Sequence, residues 1–88
     1  MRTALVDRAR RGDREAFSVL AGGAVDRLYA IARLILRDTD LAEDATQDAL
    51  VRAWRDLPTL RDVERFDAWL YRLLVRSCAD IGRHRPGR

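Results

Sequence analysis

Apolar residues return every three or four positions along almost the whole of this chain, and no stretch alternates apolar with polar as a half-buried strand would. That pattern commits the backbone to helices. With 88 residues there is room for one small domain and none for an interdomain cleft. The expected fold is all-α: a compact bundle of three long helices plus a short N-terminal helix. It occupies residues 1–85, with residues 86–88 starting a linker.

Local signals punctuate the helices. Thr3 caps a first helix reaching about Arg11, with Ala4, Leu5 and Ala9 facing inward. Gly12 stops it and Asp13 caps the next. The second helix carries Phe17, Leu20, Ala21, Ala24, Leu28, Ile31 and Ile35 as one stripe. Gly22 and Gly23 in its middle cost about 2 kcal/mol relative to alanine, which predicts a kink or short break. Asp40 with Glu43 reads as a capping box opening a third helix over residues 40–56. That helix buries Leu41, Ala45, Ala49, Leu50, Ala53 and Trp54. Pro58 disfavours helical geometry at Leu57, so a loop follows to about Asp62. The last helix places Val63, Phe66, Trp69, Leu70, Leu73, Leu74, Ser77, Cys78 and Ile81 on one face and frays from Gly82 onward.

Composition removes most chemistries. One cysteine, Cys78, builds no internal disulfide, and with one histidine, His84, it makes no ordinary zinc site. There is no Ser/His/Asp set and no glycine-rich phosphate loop. Cys78 reads as a small core residue and His84 as a surface one. The chain is therefore expected to be a binding module, not an enzyme, with no metal and no cofactor. Arg33 interrupts the most apolar stretch, residues 30–36, so no segment spans a bilayer, and no signal-peptide core opens the chain. A soluble, cytoplasmic domain is the expectation.

Charge is unevenly placed. All 17 basic residues are arginine, and the net charge is +3. Residues 38–48 hold five acids and no base, whereas residues 68–88 hold five arginines against Asp80. Asp40, Asp44 and Asp48 step by four along the third helix, flanked by Glu43 and Gln47. Such a ridge repels itself by a few tenths of a kcal/mol per pair, roughly, and a basic partner would relieve it. On the last helix Arg65, Arg72, Arg76 and Arg83 fall within an arc of about 40°, with Asp80 spaced to orient Arg76 or Arg83. Guanidiniums fork onto phosphate and stack on bases, so the stripe suits nucleic acid. Two solvated helix faces without partners are the competing reading. Phe17, Trp54, Phe66 and Trp69 sit on apolar stripes, and Tyr29 and Tyr71 off-centre at the rim. Phe66 adjoins the arginine stripe, so a platform for an unstacked base stays open beside core packing.

Three segments carry a resemblance: residues 13–17 (DREAF), residues 42–54 (AEDATQDALVRAW) and residues 66–72 (FDAWLYR). In this order and spacing they resemble domain 2 of extracytoplasmic-function sigma factors, in the sigma-70 superfamily of bacterial initiation factors. The resemblance runs from about Leu5 to Arg85. It implies that Asp44, Gln47 and Asp48 contact the clamp helices of the RNA polymerase β′ subunit, with Asp40 and Glu43 at the margin. It implies that Arg72 and Arg76 contact the non-template strand of the promoter −10 element. The loop from Leu60 to Phe66 would take an extruded base, with Arg61 and Arg65 on the backbone. Ser77 stands where asparagine is frequent in the family, and Gly22 and Gly23 where bulkier residues are usual. An anti-sigma factor is a further implied partner. So is a second helix-turn-helix domain reading the −35 element, so the 88 residues alone are not expected to be a complete initiation factor.

Two other classes compete. A helical protein-interaction adaptor would use the same charged faces on proteins alone. A helix-turn-helix repressor needs two helices joined by a 3–4-residue turn, which the longer Pro58 loop does not supply.

Overall fold

The structure, a computed structural model, describes residues 2–84; Arg85 and the expected linker at residues 86–88 lie outside the described residues. Helix α1 spans Arg2–Arg10, α2 Arg14–Leu36, α3 Thr39–Asp56 and α4 Phe66–Arg83. Two single-turn 3₁₀ segments, Leu57–Thr59 and Val63–Arg65, link α3 to α4. The result is the bundle of three long helices and one short one that the periodicity predicts. Helix α3 packs on both α2 and α4, while α1 lies against α2 and reaches both 3₁₀ turns.

At the junction of α1 and α2 the signals act as their chemistry requires, whereas Thr3, expected to cap α1, lies inside that helix. Gly12 takes a φ of 102°, which a side chain would resist. Asp13 caps α2 by accepting from the Ala16 amide at 3.1 Å. Helix α3 begins one step earlier than the capping-box reading placed it. Asp38, not Asp40, is its cap, accepting from the Leu41 amide at 2.9 Å. Arg37 turns the chain into that cap through the left-handed region (φ 56°), its amide donating to the Arg33 carbonyl.

Two expected breaks fall elsewhere. Helix α2 runs unbroken through Gly22 and Gly23. Both glycines face open space, while Leu20, Ala24 and Leu28 are buried on the opposite side. Packing of that stripe outweighs the roughly 2 kcal/mol that glycine costs in a free helix. Leu57 keeps helical geometry (φ −55°, ψ −37°) despite preceding Pro58, and the chain turns extended only at Leu60 (φ −69°, ψ 119°). Leu57 is fully buried, and that burial holds it against the preference imposed by the proline.

On α4 the buried face is the expected one, whereas on α1, α2 and α3 the buried stripe is partly shifted from the expected set. Helix α2 buries Ala16, Leu20, Ala24, Leu28, Ala32 and Leu36, leaving Phe17 and Ile31 half-buried and Ile35 exposed. Helix α1 likewise buries Val6 and Ala9, with Ala4 exposed. Helix α3 presents Ala42, Ala45, Ala49 and Ala53, all fully buried, so α2 and α4 approach it closely. Leu41, Leu50 and the Trp54 ring line its edges, Trp54 meeting Phe17 at 5.2 Å between ring centres. Helix α4 contributes Phe66, Leu70, Leu73, Leu74, Ser77 and Cys78.

Candidate functional site

The acidic ridge sits on the outer side of α3. An alanine every third or fourth position buries one face, so Asp40, Glu43, Asp44 and Gln47 are turned to solvent. Asp48 is different. Its Oδ2 forms an ion pair with Arg52, 2.9 Å from Nε, one turn along the same helix. Arg52 Nη2 also donates to Asp80 Oδ2 at 2.7 Å, crossing from α3 to α4, and Asp80 in turn receives Arg83. Four charges thus form a chain of alternating sign. Arg52 beside Asp80, seconded by Arg83, holds that carboxyl below the usual carboxylate range. Asp80 therefore orients Arg83, as its spacing allows, and Arg52, which the sequence did not single out. It does not hold Arg76.

The basic stripe contracts accordingly. Arg83 is committed to Asp80. Arg65 lies in the 3₁₀ turn ahead of α4, outside the helical register, 3.6 Å from Asp62 and 74% exposed. Arg72 and Arg76 remain, four residues apart on α4, both exposed. Among the described residues neither makes a hydrogen bond or an ion pair through its guanidinium. Beside them Tyr71 is 48% exposed and Val75 37% exposed, and with Ala79 these residues line one shallow groove along the helix. An exposed aromatic next to two unpaired guanidiniums is a surface on which a base could stack. Sequence reasoning set Tyr71 at the rim without that role, and its place next to Arg72 was the available signal.

The loop at residues 60–65 differs from its expected form in one respect. Arg61 and Arg65 are exposed, as backbone-contacting residues need to be. Asp62 caps the second 3₁₀ turn, accepting from the Glu64 amide at 3.0 Å. Phe66, however, is 2% exposed, so its ring is core and no platform. It lies 6.1 Å from the Trp69 ring, and the Arg2 guanidinium covers it at 5.9 Å. An inward-facing position at the start of α4 decides this, since Phe66, Leu70 and Leu73 share one face. Ser77 is fully buried too, which removes any base contact there. Cys78 is buried among apolar side chains and that burial pushes its thiol up, away from reactive thiolate.

Among the described residues no three His, Cys, Asp or Glu side chains gather as a metal site, and no helix is long and apolar enough to cross a membrane. What the surface offers is two charged faces of opposite sign.

Known proteins resemble this chain in sequence and fold. A family model described as Sigma-70 region 2 matches residues 24–85. The RNA polymerase sigma-H factor of Pseudomonas aeruginosa is 32% identical over 73 residues, covering 83% of this chain and 38% of that protein. The ECF RNA polymerase sigma factor SigM of Mycobacterium tuberculosis is 38% identical over 69 residues, 78% of this chain and 35% of SigM. The ECF RNA polymerase sigma-E factor of Escherichia coli is 33% identical over 75 residues, 83% of this chain and 38% of its own length. The chain thus spans well under half the length of these relatives. The NMR structure of an engineered region 2 of sigmaE in complex with GTAAAA superposes with a TM-score of 0.82. Its identity is 28%, over 91% of this chain and 83% of that one. With motif, fold and relatives in agreement, the chain belongs to the sigma-70 region 2 family, in its extracytoplasmic-function branch.

Proposed function

We propose that this domain is the part of a transcription initiation factor that docks on the RNA polymerase β′ clamp helices and holds the non-template strand of a promoter −10 element. The carrying observation is the pair Arg72 and Arg76: exposed, one turn apart, unpaired among the described residues, and flanked by exposed Tyr71. Guanidiniums not held in a hydrogen bond or close ion pair bind phosphate without first breaking a bond. Arg61 and Arg65, exposed in the loop before α4, would add contacts to the strand backbone. Opening a duplex costs a few kcal/mol per unstacked base, roughly, and contacts to base and backbone offset it. Nothing in this role requires bond cleavage.

On the other side, Asp40, Glu43, Asp44 and Gln47 offer acceptors to a basic partner, with Asp48 at the inner edge of the ridge. Docking on polymerase relieves the mutual repulsion of these carboxylates. The domain would act where polymerase is, in the cytoplasm. An inhibitory anti-sigma factor would cover these same faces.

Binding of the single strand GTAAAA across a salt series tests the strand assignment. The expected result is base-dependent binding whose logarithmic salt slope falls by about 0.7 for each of Arg72→Ala and Arg76→Ala. Binding that ignores base sequence, with slopes unchanged in both variants, returns the domain to a protein-only adaptor.

A further inference from the structure

Helix α1 precedes the span matched by the family model, yet it holds the far side of the loop at residues 60–65. Its last turn carries Arg10, 29% exposed at the side chain. Arg10 Nη1 donates to the Leu60 carbonyl at 2.9 Å and lies 3.4 Å from the Arg61 carbonyl. Its Nη2 donates to Asp7 Oδ1 at 2.5 Å, which aims the guanidinium and stops it swinging out to solvent. The Leu60 carbonyl depends on that donor, while the Arg61 carbonyl, on an exposed residue, takes it as a second and longer contact. The chain turns extended at Leu60, so they fall outside any helical hydrogen-bond ladder, and Leu60 is only 7% exposed. At its other end α1 is pinned again. Arg2 forks onto Asp67 at 2.9 and 3.0 Å and covers Phe66, the first residue of α4. Between the two clamps Val6 and Ala9 are buried.

We propose that Arg10 is a positioning residue for the strand-binding loop. By holding the Leu60 and Arg61 carbonyls it fixes the conformation in which residues 61–65 accept an unstacked base. This rests on the strand-binding reading above. Arg10 makes no contact with the strand itself, so its removal loosens base discrimination and leaves phosphate attraction in place.

Two measurements on the 88-residue chain test the role. The first is amide hydrogen exchange at Glu64 and Arg65, whose N–H groups are hydrogen-bonded within the loop. In Arg10→Ala these amides should exchange about tenfold faster, the worth of one charge-assisted hydrogen bond, while core amides of α2 and α3 keep their protection. The second is affinity for GTAAAA against a series of the same strand with each base in turn made abasic. The wild-type chain should lose affinity at one position, and Arg10→Ala should shrink that loss about fivefold to tenfold with the salt slope unchanged. Arg10→Lys keeps the charge and the apolar stem and should regain part of the discrimination, which covers the case of an alanine variant that folds poorly. Unchanged loop exchange, or discrimination equal to wild type in Arg10→Ala, overturns the positioning role and leaves the strand reading standing. A uniform affinity loss with a lower slope also overturns it, making Arg10 a phosphate ligand. A wild-type chain that discriminates at no position overturns the strand reading, and the proposed role with it, even where loop exchange responds.

Discussion

The outer face of α3 and the outer face of α4 carry opposite charge, and they differ more in how much of it is free. Along the acidic ridge of α3, Asp40, Glu43 and Asp44 stand in solvent, while Asp48 is drawn into a pair with Arg52. On α4 the stripe keeps its middle and loses its end, Arg83 being bound to Asp80. One residue links the two faces: Arg52 lies 22% exposed between Asp48 and Asp80. Charge count alone therefore overstates what each face offers a partner. What matters is which charges the fold has already paired.

The comparison breaks most severely if the ridge is inverted. Asp44→Arg together with Asp48→Arg should leave helicity by circular dichroism unchanged and abolish capture by a β′ clamp fragment, since like charges across an interface cost several kcal/mol, roughly. Capture that survives this reversal removes the docking assignment.

On the α4 side, the free and committed arginines should separate. Arg72→Ala and Arg76→Ala should each weaken GTAAAA binding about tenfold at low salt, while Arg83→Ala changes it less than about twofold. Equal losses at all three would mean that the pair with Asp80 leaves Arg83 available after all. A finer version releases Arg83: Asp80→Asn should tighten strand binding severalfold and raise the salt slope.

The linking network should also be visible in acid. Asp80 has its carboxyl held below the ordinary range by Arg52 and then Arg83, so it binds its proton later in the folded chain than in the unfolded one. Its contribution to stability is full above the unfolded carboxylate pKa of about 3.9 and disappears as pH falls through the lower folded value. Thermal melts from pH 7 down to pH 2 should show Arg52→Ala with a shallower acid decline and a lower midpoint at pH 7. An acid limb identical to wild type would make the network incidental. The smallest change serves as a control on both faces. Gly22→Ala and Gly23→Ala add a methyl into open space on a continuous helix. Each should raise stability by about 0.5–1 kcal/mol in denaturant titration and alter neither binding.

Sequence reading succeeded where the cause was within one turn. Gly12 and Asp13 end one helix and start the next through contacts three or four residues long, and the apolar period gives four helices without further help. It slipped where packing overrode a local preference. Leu57 stays helical before Pro58, α2 passes straight through two glycines, and Asp38 takes the cap that Asp40 was equally equipped to take. Phe66 shows the same limit in the site: an aromatic next to arginines in sequence is turned inward by the face it shares with Leu70.

What the 88 residues determined by themselves is a set of amphipathic helices with acid gathered on α3 and guanidinium on α4, because periodicity and charge spacing are fixed by neighbours a few positions apart. Which charges remain for a partner was decided only by the packed bundle. Arg52 meets Asp80 across 28 positions and Arg10 meets the Leu60 carbonyl across 50. No helical repeat reaches that far. Those bonds exist because buried alanines let α3 and α4 close on each other, and because α1 settles on the loop once Val6 and Ala9 leave water.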